Sequence, residues 1–258
     1  MSLFALELRK HRVLIGGMLL VAFLWAAWMA RQLLASEPLV TLAINIGFLF
    51  ALAPVGLLVP VVLARTLSGE ATGPLAFLLT SPRRGLAHVA ARFGVALATL
   101  AIYYAVLVGM SSWVASSVGV KYDVWLPLAA WAYFLAAWAA PAVLAGIVYG
   151  LVVAAYRPGR GGQIVAVSAA FGLFKIWGWL TWRAGEYLAF LPQLPIPRVN
   201  VPAEIAPYLG LARGDIDLTA ALQTIIDGIP TAPAFVGLLL TVALFLVAAH
   251  LWEEVEWA

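Results

Sequence analysis

The stretch Val13–Ala30 reads VLIGGMLLVAFLWAAWMA and contains no charged residue. A membrane-spanning α-helix needs about 20 consecutive apolar residues, so this stretch predicts a first span. Arg9, Lys10 and Arg12 precede it, as basic residues precede the apolar core of a signal peptide. The apolar run is too long for a signal peptide and lacks a small-x-small cleavage site, so we interpret it as a retained membrane helix.

Five further stretches repeat this apolar pattern along the chain. The predicted spans are Val13–Leu34, Leu39–Ala64, Leu86–Val114, Trp125–Tyr156, Gln163–Trp182 and Ala234–Leu251. The fourth contains Pro127 and Pro141, and because proline lacks a backbone donor we expect that span to be kinked or to extend beyond the lipid. Of the 258 residues, 64% are hydrophobic and 10% are charged, whereas soluble domains carry about 25% charged residues. The sequence therefore predicts one all-α integral membrane domain, residues 1–258.

The positions of Lys and Arg predict the orientation of these spans, because basic residues are retained on the cytoplasmic side during insertion. One side collects Arg9, Lys10, Arg12, Arg65, Arg83, Arg84, Arg92, Arg157 and Arg160. The other side has Arg31, Lys121, Arg183, Arg198 and Arg213. We therefore expect both termini to be cytoplasmic, in a multi-pass protein of a prokaryotic plasma membrane.

Two segments outside the spans have patterns of their own. Residues 1–12 alternate apolar and charged side chains, which predicts a short helix on the cytoplasmic membrane surface. Residues 183–231 are rich in proline and are expected to be external. Within them, Asp217–Gly228 has an aspartate at its start and a glycine at its end, which predicts a short capped helix that is interfacial or re-entrant.

The connection between the second and third spans is more than a turn. Residues Arg65–Arg84 read RTLSGEATGPLAFLLTSPRR. Leu75, Leu78 and Leu79 form one apolar helical face, and Pro82 ends the helix before the basic pair. The pattern predicts a compact helix over residues 66–82 at the cytoplasmic membrane surface.

This connection resembles the first cytoplasmic loop of the type-2 permeases of ATP-binding-cassette (ABC) transporters. The residues that match the family pattern in order are Glu70, Thr72, Gly73, Leu78, Leu79, Ser81 and Pro82. The arrangement of an N-terminal surface helix, six spans and a long external segment is similar as well. Pro74 is a departure, since the family usually continues with Leu or Glu there.

The resemblance implies that residues 66–82, with Leu75 on the apolar face, form a coupling helix that docks on a separate ATPase. The expected assembly is an exporter with two ABC ATPase subunits and a second permease, either another copy or a homologous chain. The lysines Lys10, Lys121 and Lys175 are followed by His, Tyr and Ile, so none can belong to a P-loop. We expect no cofactor on this chain, and ATP and magnesium on the partner. An ordinary amphipathic loop helix is the alternative for this segment.

Lys175 and Trp179 are the other candidate functional residues. Lys175 is interpreted as the one clear charge inside a span, where it either snorkels outward or forms an ion pair, or else lines a substrate path or a subunit interface. Trp179 belongs to a group of tryptophans near the predicted outer ends of the spans. An interfacial aromatic belt is the preferred interpretation, and substrate binding is the alternative.

Other classes of function find less support in the sequence. The net charge of +3 without a basic stripe argues against nucleic-acid binding. The absence of cysteine excludes thiol catalysis, and no Ser–His pair is expected within the lipid, so we expect no catalysis by the chain itself. An ion-coupled secondary transporter would normally carry buried carboxylates, whereas every Asp and Glu here falls outside the predicted spans. That class and a non-transporting membrane scaffold subunit remain the alternatives.

Overall fold

The chain is mostly helical in the computed structural model. The model describes residues 3–34, 85–156, 190–196, 198–202, 216–217 and 228–257, together with residues 176, 179, 180, 183 and 186–188. The helices are α1 (Leu3–Lys10), α2 (Arg12–Leu34), α3 (Gly85–Ser117), α4 (Trp125–Phe134), α5 (Ala140–Tyr156) and α6 (Ala232–Trp257). A single turn of π-helix, Leu135–Ala139, joins α4 to α5.

Three of these helical segments are long and apolar enough to cross a membrane: Gly85–Ser117, Trp125–Val153 and Ala232–Glu253. They correspond to the predicted third, fourth and sixth spans. The predicted first span is also helical, and its apolar part is Ile15–Arg31. The predicted second span, Leu39–Ala64, and most of the fifth, Gln163–Trp182, lie outside the described residues. The described helices thus support a membrane-embedded chain.

The long helices are apolar on the sides that pack together and also on the sides that are exposed, so they have no distinct polar face. Met29, Tyr103, Leu144 and Ile147 are fully buried between them, and α6 packs mainly against α5. Leu238, Leu239, Val242, Leu246 and Val247 are exposed on α6. Apolar side chains on both faces of a helix are expected where lipid replaces water around the bundle.

The long helix α3 ends at a glycine in the left-handed conformation. Gly119 has a φ of +82°, Gly119 N–H donates to Ser116 O over 3.1 Å, and Val120 N–H donates to Ala115 O over 3.0 Å. This hydrogen-bond pair is the Schellman arrangement, which satisfies the last carbonyl groups of a helix. The chain therefore turns sharply after α3 and enters the first strand.

Within the described part of the chain, five short strands that the sequence interpretation did not include form two small antiparallel sheets. They are β1 (Lys121–Tyr122), β2 (Gln193–Leu194), β3 (Val199–Val201), β4 (Ile216–Asp217) and β5 (Ile229–Pro230). The first sheet has the order β1-β3-β4 and the second pairs β2 with β5. The sheets connect the turn after α3 to the segment before α6.

The predicted helix Asp217–Gly228 lies almost entirely outside the described residues, which omit 218–227. Its two ends are described: Asp217 is paired opposite Asn200 in β4, and Gly228 lies in a bend before β5. The helix between them stays a prediction.

The two ends of the bundle have different constructions. Helix α3 has 33 residues, a length of about 50 Å at 1.5 Å per residue. Its first turns contact α1 and the last turns of α6, whereas the strands follow its last turn and precede the first turn of α6. We call these the α1 end and the strand end. This grouping agrees with the two sides that the Lys and Arg positions predicted.

Candidate functional site

The predicted coupling residues lie outside the described part of the chain. They are Glu70, Thr72, Gly73, Leu75, Leu78, Leu79, Ser81 and Pro82. Lys175 lies outside it too. The role given to each of these residues stays a prediction. The structure does describe the residues that directly follow the loop, from Gly85 onward.

Trp179 is described and stands near the strand-end segment. Its side chain is 55% exposed, and the Arg183 guanidinium carbon lies 6.0 Å from the centre of its ring. Arg183 Nη1 donates to Glu186 Oε2 over 2.6 Å. An exposed indole beside an exposed ion pair fits the interfacial belt interpretation, since the ring is apolar and its surroundings are polar.

A buried ion pair at the α1 end joins α1 to α3. Arg92 Nε donates to Glu7 Oε2, and Arg92 Nη2 donates to Glu7 Oε1, each over 3.0 Å. The residues are 1% and 3% exposed, respectively. Two parallel bonds of this kind fix the orientation of both groups as well as their distance. The pair is a rigid cross-link between two helices that are 85 residues apart in sequence.

Two further basic side chains approach the same carboxylate. Lys10 Nζ donates to Glu7 Oε1 over 3.2 Å, and His11 Nε2 lies 3.5 Å from Glu7 Oε2. His11 N–H also donates to Glu7 O over 3.1 Å, which continues the helical path from α1 into α2. Glu7 is therefore the common partner of basic groups from α1, from α3 and from the residue before α2.

These neighbours decide the ionisation of Glu7. Burial by itself would raise the pKa of Glu7, because a charged carboxylate is poorly solvated there. The His11 side chain and the Arg92 guanidinium outweigh burial, with a further contribution from Lys10, and hold the pKa of Glu7 well below its usual range. Glu7 is thus a carboxylate in the folded protein at neutral pH.

The last turns of α6 complete this arrangement. The rings of His88 and Trp252 stack with centroids 4.9 Å apart and planes 11° from parallel. The Arg92 guanidinium carbon lies 5.5 Å from the centre of the Trp252 ring, within the range of a cation–π interaction. We call Glu7, Lys10, His11, His88, Arg92 and Trp252 the Glu7–Arg92 cluster. It joins α1, α3 and α6 at one end of the bundle.

The backbone of α3 begins in close contact with α6. A Cβ on Gly85 would lie 2.7 Å from Ala249 O and 3.1 Å from the Cβ of Trp252. Only glycine permits two backbones to come this close without a shift. Gly85 directly follows Arg84, the last residue of the predicted coupling loop. The chain that leaves the loop therefore begins in close contact with α6.

The ion pair of Glu7 and Arg92 was not predicted from the sequence. The interpretation of Lys175 as the one clear charge inside a span was wrong, because Arg92 lies inside the predicted span Leu86–Val114 and inside α3. A charge within a span normally faces the bundle interior and has a partner. That rule, applied to Arg92, would have indicated the site, but nothing in the sequence identifies Glu7 as the partner.

The cluster has the composition of a structural joint between three helices. Among the described residues, no group of three His, Cys, Asp or Glu side chains could hold a metal ion. Glu7 is held in bonds to Arg92 and Lys10, so its lone pairs are engaged. What the geometry can do is transmit position from one helix to two others.

Comparison of the chain with protein-family models, curated proteins and solved structures finds no match.

Proposed function

We propose that the chain is the membrane-spanning permease subunit of an ATP-driven ABC exporter, in which a separate ATPase drives the movement of the helices. The observation that carries the proposal is the sequence Glu70–Pro82, which resembles the coupling loop of type-2 permeases. Three long apolar helices and a fourth apolar helical segment support a membrane-embedded translocation subunit. ATP and magnesium would bind the partner, since none of the lysines can form a P-loop.

The construction of the α1 end supports the same proposal. A coupling loop must pass its movement to the spans, and that requires a stiff attachment where the loop re-enters the bundle. Gly85 begins α3 in close contact with Ala249 of α6, and two turns later Arg92 is bonded to Glu7 of α1. A displacement of the loop would therefore move three helices together.

Co-purification in gentle detergent tests the proposal. We expect the chain to bring down an ATPase subunit, and reconstituted vesicles to transport substrate at the expense of ATP. Glu70→Lys and Leu79→Asp are expected to abolish ATPase association and transport-coupled hydrolysis. Glu186→Lys is the matched control, because Glu186 is exposed and lies near the strand end, on the side that the charge pattern assigns to the exterior.

Two results would contradict the proposal. One is intact ATPase association and coupled hydrolysis in both loop variants. The other is transport sustained by an ion gradient in vesicles that contain no ATPase, which would identify an ion-coupled secondary transporter instead.

A further inference from the structure

The fourth span contains a break in its helical hydrogen bonding. Ala140 N–H donates to Leu135 O, five residues back, where an α-helix would pair it with Ala136. The turn Leu135–Ala139 is a π-turn, and α-helical residues directly precede and follow it. A π-turn is equivalent to one extra residue inserted in an α-helix, and such turns are frequent at functional positions.

Pro141 explains why the π-turn forms here. Its nitrogen carries no hydrogen, so Ala136 O and Ala137 O both lose the donor that position 141 would otherwise offer. In a regular α-helix the proline ring would also clash with the carbonyl of Ala137. Widening the preceding turn relieves that clash. The π-turn therefore lies directly before Pro141, one of the two prolines from which a kink was predicted.

The two halves of the span on either side of the π-turn have different partners. In α4, Trp131 Nε1 donates to Ala101 O of α3 over 2.9 Å, and the Phe134 ring lies 4.4 Å from that of Tyr104. Helix α5 packs mainly against α6 and also contacts α3. Both halves therefore contact α3, and the half at the α1 end is the one that packs extensively against α6.

Helix α6 touches the span at the π-turn itself. A Cβ on Gly237 would lie 2.4 Å from Ala136 O and 2.7 Å from Ala137 Cα. Backbone therefore meets backbone at the carbonyl that Pro141 leaves without its donor, an arrangement in which a Cα–H group can approach the oxygen. A contact without side chains has nothing to interdigitate, so it permits one helix to rotate on the other.

We propose that the π-turn Leu135–Ala139, seated on Gly237, is a pivot about which α4 tilts relative to α5 and α6. Helix α4 lies on the strand-end side of the π-turn, so the movement opens the strand end. Tyr133 Oη donates to Pro230 O over a long 3.3 Å at that end and is exposed, so this contact gives way at little cost. The inference does not depend on the exporter proposal.

The natural absence of cysteine makes a distance measurement practical. A spin-label pair at Ala130 and Ala145 brackets the π-turn, and both positions are exposed. The matched control pair is Ala90 and Ala105 on α3, which has the same spacing of fifteen residues, is exposed too, and encloses no proline. We expect the purified chain in lipid nanodiscs, without ATPase or ATP, to give two distance populations for the first pair and one for the control.

Two variants remove the π-turn. Deleting Ala136 converts the π-turn into α-helix while keeping the register of both flanks, and Pro141→Ala removes the cause of the turn at unchanged length. Each is expected to reduce the Ala130–Ala145 distribution to a single population as narrow as the control. Tyr133→Phe is expected to increase the population of the open form.

A single narrow Ala130–Ala145 distribution in the unmodified background would overturn the pivot, and so would two populations that persist in Pro141→Ala. The readout needs neither nucleotide nor partner. Failure to co-purify an ATPase would therefore count against the exporter proposal alone.

Discussion

Breaking the Glu7–Arg92 pair should destabilise the protein far more than breaking an exposed pair. Glu7→Gln keeps the shape of the side chain and removes its charge, which takes the Glu7 carboxylate away from the buried Arg92 guanidinium. Because Arg92 is 1% exposed, water cannot replace the lost partner. Removing one member of a buried pair costs about 3–5 kcal/mol. A loss of stability of this size is large for a single substitution.

The control is the ion pair of Arg183 and Glu186, whose N–O distance of 2.6 Å is shorter than that of the buried pair. Its side chains are 39% and 47% exposed, and solvent-exposed pairs contribute about 0–1 kcal/mol. Glu186→Gln should therefore have little effect. Distance alone would rank the two pairs in the opposite order, so the comparison separates burial from proximity.

The assay is reversible unfolding in mixed micelles, followed by the fluorescence of the 11 tryptophans. The double variant Glu7→Gln/Arg92→Met completes a mutant cycle, and because it removes both charges we expect it to recover part of the stability lost in Glu7→Gln. A loss below about 1 kcal/mol in Glu7→Gln, or a double variant less stable than the sum of the single changes, would refute the reasoning.

Three further predictions follow from single contacts. Gly237→Ala should destabilise the fold by about 1–3 kcal/mol, because its Cβ would overlap the Ala136 carbonyl. Gly109→Ala in α3 has open space around it and should be neutral or stabilise the fold by up to about 1 kcal/mol. Thermal unfolding of the two variants measures the difference. The low pKa of Glu7 means that its contribution to stability is complete above its ordinary value of about 4.5 and is lost as the pH falls below it, so Glu7→Gln should flatten the acid limb of a stability–pH curve and leave that curve unchanged in slope above pH about 5. Trp131→Phe removes the bond to Ala101 O and should cost about 1 kcal/mol, with a larger amide exchange rate in the second half of α3 as the measurement.

The membrane class and the helix positions could be predicted from the sequence because they depend on composition and length. The predicted fourth span, Trp125–Tyr156, has the same bounds as α4, the π-turn and α5 taken together. The apolar residues needed to cross a bilayer form uninterrupted runs, and such runs need no knowledge of what packs against them. Tertiary contacts add little information to that part of the fold.

The short strands could not be predicted on the same basis. Each has two or three residues, too few to show an alternating pattern, and Asp217 followed by Leu218 suits a helix start as well as a strand end. Their pairing depends on contacts between residues as distant as Lys121 and Asn200. Non-local hydrogen bonds of this kind override local propensity.

The candidate site failed to appear in the sequence for a related reason. Arg92 follows a basic pair by only eight positions, so its charge counted with the cytoplasmic residues rather than with the span. Glu7 sits on a helix whose alternation indicates a surface location. Their pairing is a fact of three-dimensional packing, although the rule that charges in spans have partners makes Arg92 conspicuous once α3 is known to begin at Gly85.

The stiff and compliant parts of the bundle are separated along its length. Contacts between α3 and α6 at the α1 end include Gly85 with Ala249, His88 with Trp252 and Phe93 with Phe245. Further along, α3 is bonded to α4 through Trp131 and also contacts α5. A π-turn in the neighbouring span, away from the joint, lets α4 tilt at the strand end without breaking the joint. A pull on the chain just before Gly85 would then act on the joined end, and the opening would appear about 50 Å away, the length of α3.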